Sequence, residues 1–79
     1  MISGRQIKAA RALLGWTQGQ AADAAVVSEN AIARLERGQV DSRSSTVTSI
    51  EKALRAAGVE FLPAGGGRGE GVRLAKDDV

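Results

Sequence analysis

Apolar residues in the first part of the chain recur with a helical period, not an alternating one. Ile7, Ala10 and Leu14 fall at i, i+3 and i+7, and Ser3 with Gln6 has the form of a capping box. That pattern predicts an amphipathic helix, ended by Gly15. Thr17 and Gln20 repeat the box and open a short second helix from residue 18 to about residue 25. Its inward members, Ala21, Ala22 and Ala25, are all small, which permits close helix packing. Ser28 is placed to cap a third helix running through Arg37, with Ile32 and Leu35 turned inward, Glu29 in the first turn and Gly38 just past the end. The outer face of this helix carries Glu29, Asn30, Ala33, Arg34 and Arg37. After a polar, turn-rich stretch at 38–45, Ser45 is expected to cap a fourth helix. Val47, Ile50, Leu54 and Ala57 form its inner row and Gly58 closes it. A second box, Thr48 with Glu51, would start that helix three residues later and leave Val47 unused. Beyond Gly58 the period changes to an extended one. VEFL (59–62) and GVRL (71–74) flank a Gly-rich run, which reads as a hairpin with a loose loop.

The second and third helices are separated by only two or three residues, so they must cross sharply instead of lying side by side along their length. That is a helix-turn-helix arrangement. In this motif the second helix of the pair enters the major groove of duplex DNA while the first lies across the backbone. The polar side chains at the exposed N-terminal end of the third helix are then the ones positioned to meet base edges.

The segment TQGQAADAAVVSENAIARLERG, residues 17–38, resembles the phage repressor and Cro (Xre-like) helix-turn-helix family. The likeness rests on T-Q opening the second helix, Ala22, Ala25, V-S before the third helix, Ile32 and the closing L-E-R-G. Extended by IKAARALLGW before it and STVTSIEKALRAAGVEF after it, the resemblance covers about residues 3–62. It implies a mainly α fold: a compact four-helix, lambda-repressor-like domain over residues 1–62, with residues 63–79 forming a Gly-rich loop and a strand that completes a C-terminal β-hairpin. It also implies a transcriptional regulator, most simply a repressor, that binds double-stranded DNA as a homodimer on a palindromic operator. Carried over position by position, Glu29, Asn30, Ala33 and Arg34 form the base-facing set. Asn bonds adenine, Arg bonds guanine, Glu accepts from cytosine and Ala touches a thymine methyl. Gln18, Ser28 and Arg43 form the set facing phosphates, with an adjacent minor groove the other destination open to Arg43. Where the family commonly has a large aliphatic and a glycine, this chain has Ala21 and Val26. A β-branched residue is expected to avoid the left-handed backbone region that glycine tolerates, which displaces or strains the turn. The volume given up at Ala21 is available to Trp16, which is assigned to the core.

Composition narrows the alternatives. The 79 residues contain no His and no Cys, which excludes a Ser-His-Asp triad, a Cys nucleophile, thiolate or imidazole zinc ligation and a disulfide framework. No enzyme activity, metal or cofactor is expected. Hydrophobic residues make up 43% of the chain, but many of them are alanines, so the core is small and a second copy would help to stabilise it. Phe61, Val72 and Leu74 are the expected contacts of such a dimer, made along an edge of the hairpin. The net charge of +2 is slight, and Glu29 adds a carboxylate to a face that would meet phosphates. A protein-binding module on the same fold, such as an antitoxin or antiactivator with a second protein as partner, is therefore the alternative. No apolar run suggests membrane insertion or export, and a cytoplasmic location is expected.

Overall fold

A computed structural model describes residues 2–39 and 44–75. Four helices are followed by two strands: α1 (Gly4–Leu14), α2 (Gln18–Ala25), α3 (Glu29–Glu36), α4 (Ser45–Ala56), β1 (Val59–Leu62) and β2 (Gly71–Leu74). Both capping boxes form. The Ser3 hydroxyl accepts from the Gln6 N–H while the Gln6 side chain accepts from the Ser3 N–H, and Thr17 and Gln20 do the same at α2. Each box satisfies two of the N–H groups that a helix start leaves without partners. Ser28 caps α3 by accepting from the Ala31 N–H at 3.1 Å.

The cap of α4 is Ser44, one residue earlier than expected, with its hydroxyl accepting from the Val47 N–H at 3.3 Å. Ser45 is instead the first helical residue. Two adjacent serines are equally good caps in isolation, and either start leaves Val47, Ile50 and Leu54 on the buried side.

At the turn between α2 and α3, of the two expected outcomes the structure has strain. Val26 adopts the left-handed conformation, φ 57° and ψ 49°. The Val26 N–H donates to Asp23 and the Val27 N–H to Ala22, at 3.3 and 3.0 Å, which is the Schellman pattern of a helix C-terminus. The turn is thus strained and not displaced. Its geometry is dictated by the next two residues, because Val27 packs against the core and Ser28 must be extended to cap α3. Val26 itself is 89% exposed, so no burial of its side chain offsets the conformational cost.

Ile7, Ile32, Ile50, Leu54 and Val47 are the fully buried centre, drawn from α1, α3 and α4. Ala21, Ala22 and Ala25 are buried where α2 meets its neighbours, and Trp16 is half-buried against the same cluster. β1 and β2 pair antiparallel with Val59 opposite Leu74, Glu60 opposite Arg73, Phe61 opposite Val72 and Leu62 opposite Gly71. One face of the hairpin, with Val59 and Phe61 buried, packs on α1 and α4. The outward face carries the Glu60–Arg73 ion pair. The connection is tighter than a loose loop. Gly65 and Arg68 exchange two main-chain hydrogen bonds of 2.9 and 3.0 Å around Gly66 and Gly67, both at positive φ. That is the pattern of a type I′ turn, whose twist matches that of the strands it joins.

The end of the hairpin nearest this turn is tied to α1 by a buried amide. Gln6, 5% exposed, donates from Nε2 to the carbonyls of both Leu62 and Gly71, at 3.1 and 3.0 Å. Its Oε1 completes the capping box at Ser3, whose hydroxyl donates to Glu70. One side chain therefore caps a helix and clamps the final pair of a sheet ladder.

Candidate nucleic-acid interface

Because Ile32 and Leu35 are anchored in the core, helical periodicity turns the remaining residues of α3 outward. Glu29, Asn30 and Arg34 are exposed, Ser28 is exposed at the cap, and Ala33 is half-buried between them. Asn30 and Arg34 stand one turn apart on the same face. A face that carries an amide, a guanidinium and a carboxylate around a small methyl has the donors, acceptor and apolar contact that distinguish base pairs in a major groove.

The neighbouring helix shapes one edge of this face. A Cβ on Gly19 would lie 3.0 Å from Oε1 of Glu29. The missing side chain of Gly19 thus makes room for the Glu29 carboxylate over the first turn of α2, a position favoured by the positive end of that helix. The same turn carries the N–H groups of Gln18 and Gly19, which have no acceptor within the helix.

The side chain of Gln18 points elsewhere. Its Nε2 donates to Oε1 of Glu36 at 3.2 Å. Glu36 also accepts two hydrogen bonds from Arg11, 2.5 Å from Nε and 2.8 Å from Nη2, and Arg11 donates a third to the Trp16 carbonyl. The Glu36 and Arg11 side chains are only 5% and 15% exposed. Burial acts to raise the Glu36 pKa, but the hydrogen bonds from Arg11 and Gln18, with the nearby charges of Arg11 and Lys8, outweigh it. The net shift is downward from the ordinary value of 4.5. The Arg11 pKa rises, chiefly through its hydrogen bond to Glu36 and against the opposing effect of burial. This ion pair locks α1, the start of α2 and the end of α3 together, fixing the angle at which α3 is presented. A place near the helix end marks Glu36 for a salt bridge, but its partner lies 25 residues away in sequence and carries no local signal that would identify it.

The remaining site residues fall in different places. Arg43 lies outside the described residues. Arg37 is exposed, with Nε and Nη2 donating to the side chain of Gln39. Phe61 is 8% exposed and faces its own core, Val72 packs against that core, and Leu74 is half-buried. Most of the apolar surface of these three residues is thus already used within one copy. Among the described residues, what stays free on β2 is main chain. Ala75 N–H bonds to Gly58 O at 2.7 Å, and antiparallel alternation from that pair directs the N–H and C=O groups of Val72 and Leu74 away from β1.

Two helices joined through a short turn, with the second exposed along its polar face and held by the first, define a helix-turn-helix protein. A family model described as Helix-turn-helix (HTH_3) matches residues 7–61, and the chain belongs to this Xre- and lambda-repressor-like family. The match places it among DNA-binding transcription regulators. A comparison with curated proteins finds no match. Among the described residues no helix is long and apolar enough to cross a membrane.

Proposed function

We propose that the protein is a sequence-specific regulator that seats α3 in the major groove, and that it represses by occupying a palindromic operator as a homodimer. The observation that carries this reading is the exposure of Asn30 and Arg34, one turn apart on a helix whose opposite side is anchored in the core. Asn30 and Arg34 supply bidentate contacts, Ala33 an apolar one, and Glu29 acceptance from a cytosine amino group. The first turn of α2 at Gln18, the α3 cap at Ser28 and Arg43 approach phosphates, Gln18 through its main-chain N–H. Two copies join along the free edge of β2, where Val72 and Leu74 contribute main chain and residual apolar surface while Phe61 supports the strand from below.

The reading is tested by titrating duplexes from the flanking DNA of the gene against the wild-type chain and Arg34→Ala. Loss of preference at one base position, with retained non-specific affinity, supports it. Sedimentation at increasing concentration tests the dimer, which Val72→Pro should abolish by removing an edge N–H. One observation favours a second reading. The Glu29 carboxylate lies over the α2 turn where a phosphate would sit, and a surface turned toward a basic protein partner would tolerate that charge better. Capture of such a partner with no DNA retained at low salt would support the second reading.

A further inference from the structure

The α1 start lies against the α3 end more closely than any side chain would allow. A Cβ on Gly4 would collide with the Leu35 carbonyl oxygen and lie 2.9 Å from its carbon. This contact brings Arg5 beside the last turn of α3, where it shares a shallow groove with Arg37 and Gly38. On its other side Arg5 borders a second groove, of about 430 Å³, that continues along Gly69, Glu70 and Gly71 to the hairpin. The tight turn places Arg68 at the exposed tip of that hairpin. Arg37, Arg5 and Arg68 are all exposed, the first two lining one groove and Arg68 standing in the turn beyond the second. Of the carboxylates along this path, Glu36 is paired with Arg11, while Glu70 accepts from the Ser3 hydroxyl and keeps its charge, leaving three cations against one free anion. The Gln6 clamp holds the hairpin in place on α1, so the tip is not a free-swinging arm.

We propose that Arg37, Arg5 and Arg68 form a strip that tracks the sugar-phosphate backbone beyond the bases met by α3, making the hairpin tip a nucleic-acid contact. The partner is duplex DNA outside the recognised bases. A line of guanidinium groups on exposed, glycine-lined backbone suits phosphates, which need charge and forked donors but carry no sequence information. This inference rests on the DNA-binding reading of α3. It adds a second, sequence-independent footprint and gives the hairpin a role besides any dimer contact.

The test is the salt dependence of binding to a long duplex of arbitrary sequence, for the wild type, Arg5→Ala, Arg68→Ala and Arg68→Lys, with folding checked by circular dichroism. Each alanine variant is expected to lower the log-log slope by about 0.9 and to weaken binding roughly fivefold at 0.15 M salt. Arg68→Lys is expected to restore the slope, because counterion release follows the charge, which lysine keeps. Folded alanine variants that keep the wild-type slope overturn the strip while leaving the α3 reading intact. A wild-type chain with no salt-dependent affinity for any duplex overturns both.

Discussion

Replacing Val26 with glycine isolates the cost of the left-handed turn between α2 and α3. A non-glycine residue in this region is disfavoured by about 1–2 kcal/mol, and a β-branched one falls toward the upper end. Glycine brings its own penalty of roughly 0.5–1 kcal/mol, because it has more freedom to lose from the unfolded chain. The valine side chain is 89% exposed, so its removal costs a few tenths of a kcal/mol of apolar burial at most. The balance is a stabilisation of about 1 kcal/mol, equivalent to a rise in Tm of about 4–8 °C for a chain of this size. Urea and thermal unfolding followed by far-ultraviolet circular dichroism and Trp16 fluorescence measure it. Val26→Ala keeps both a Cβ and the positive φ, so it should stay within about 0.5 kcal/mol of wild type. A Val26→Gly variant no more stable than Val26→Ala would refute the reasoning, since it would show that the turn stores no conformational strain.

Three other perturbations have outcomes set by the same structure. Gly4→Ala drives a Cβ into the Leu35 carbonyl and should destabilise by roughly 2–3 kcal/mol, while the exposed neighbour Arg5→Ala should be within about 0.5 kcal/mol of wild type in the same unfolding assay. Gln6→Ala removes the hydrogen bonds to Leu62, Gly71 and Ser3; it should cost roughly 2 kcal/mol and speed hydrogen exchange in β2 more than in α4. Glu36 has a folded pKa below its ordinary value of 4.5. The stability it contributes is fully present above the unfolded pKa and is lost as pH falls through the folded one. An acid titration of stability should therefore drop below about pH 4.5 in the wild type and flatten there in Glu36→Gln. That variant should also lose roughly 2–3 kcal/mol at neutral pH by leaving Arg11 unpaired.

Legible and hidden features of the chain divide along physical lines. The helix starts at Ser3, Thr17 and Ser28 are readable because capping is local: the acceptor and the N–H it meets are three residues apart. The choice of Ser44 over Ser45 is not, because both serines satisfy the same local rule and either start leaves Val47 on the inner row. Val26 misleads for the converse reason. Its own preference points away from the left-handed region, but the burial of Val27 and the Schellman bonds of the α2 end override one residue's propensity. The run of glycines between the strands reads as loose by composition, yet two of its members at positive φ are what a tight turn requires. Strand alternation does not say that the Phe61 face meets the protein's own helices, where it is buried. Gln6 is visible as half of a capping box, but its donation to carbonyls 56 and 65 residues away has no signature in the chain. The exposed set on α3 is the most legible part of the candidate site, since helical periodicity alone separates Asn30 and Arg34 from Ile32 and Leu35.

The central claim is that the polar side of α3 reads base edges. The measurement that tests it most directly is a comparison of affinity for the cognate duplex and for single-base variants of it, made with wild type, Asn30→Ala and Arg34→Ala at one fixed salt concentration. The account predicts that each substitution erases about 1–3 kcal/mol of discrimination at its own base pair and leaves the other positions unchanged. Full discrimination retained in both folded variants would contradict it.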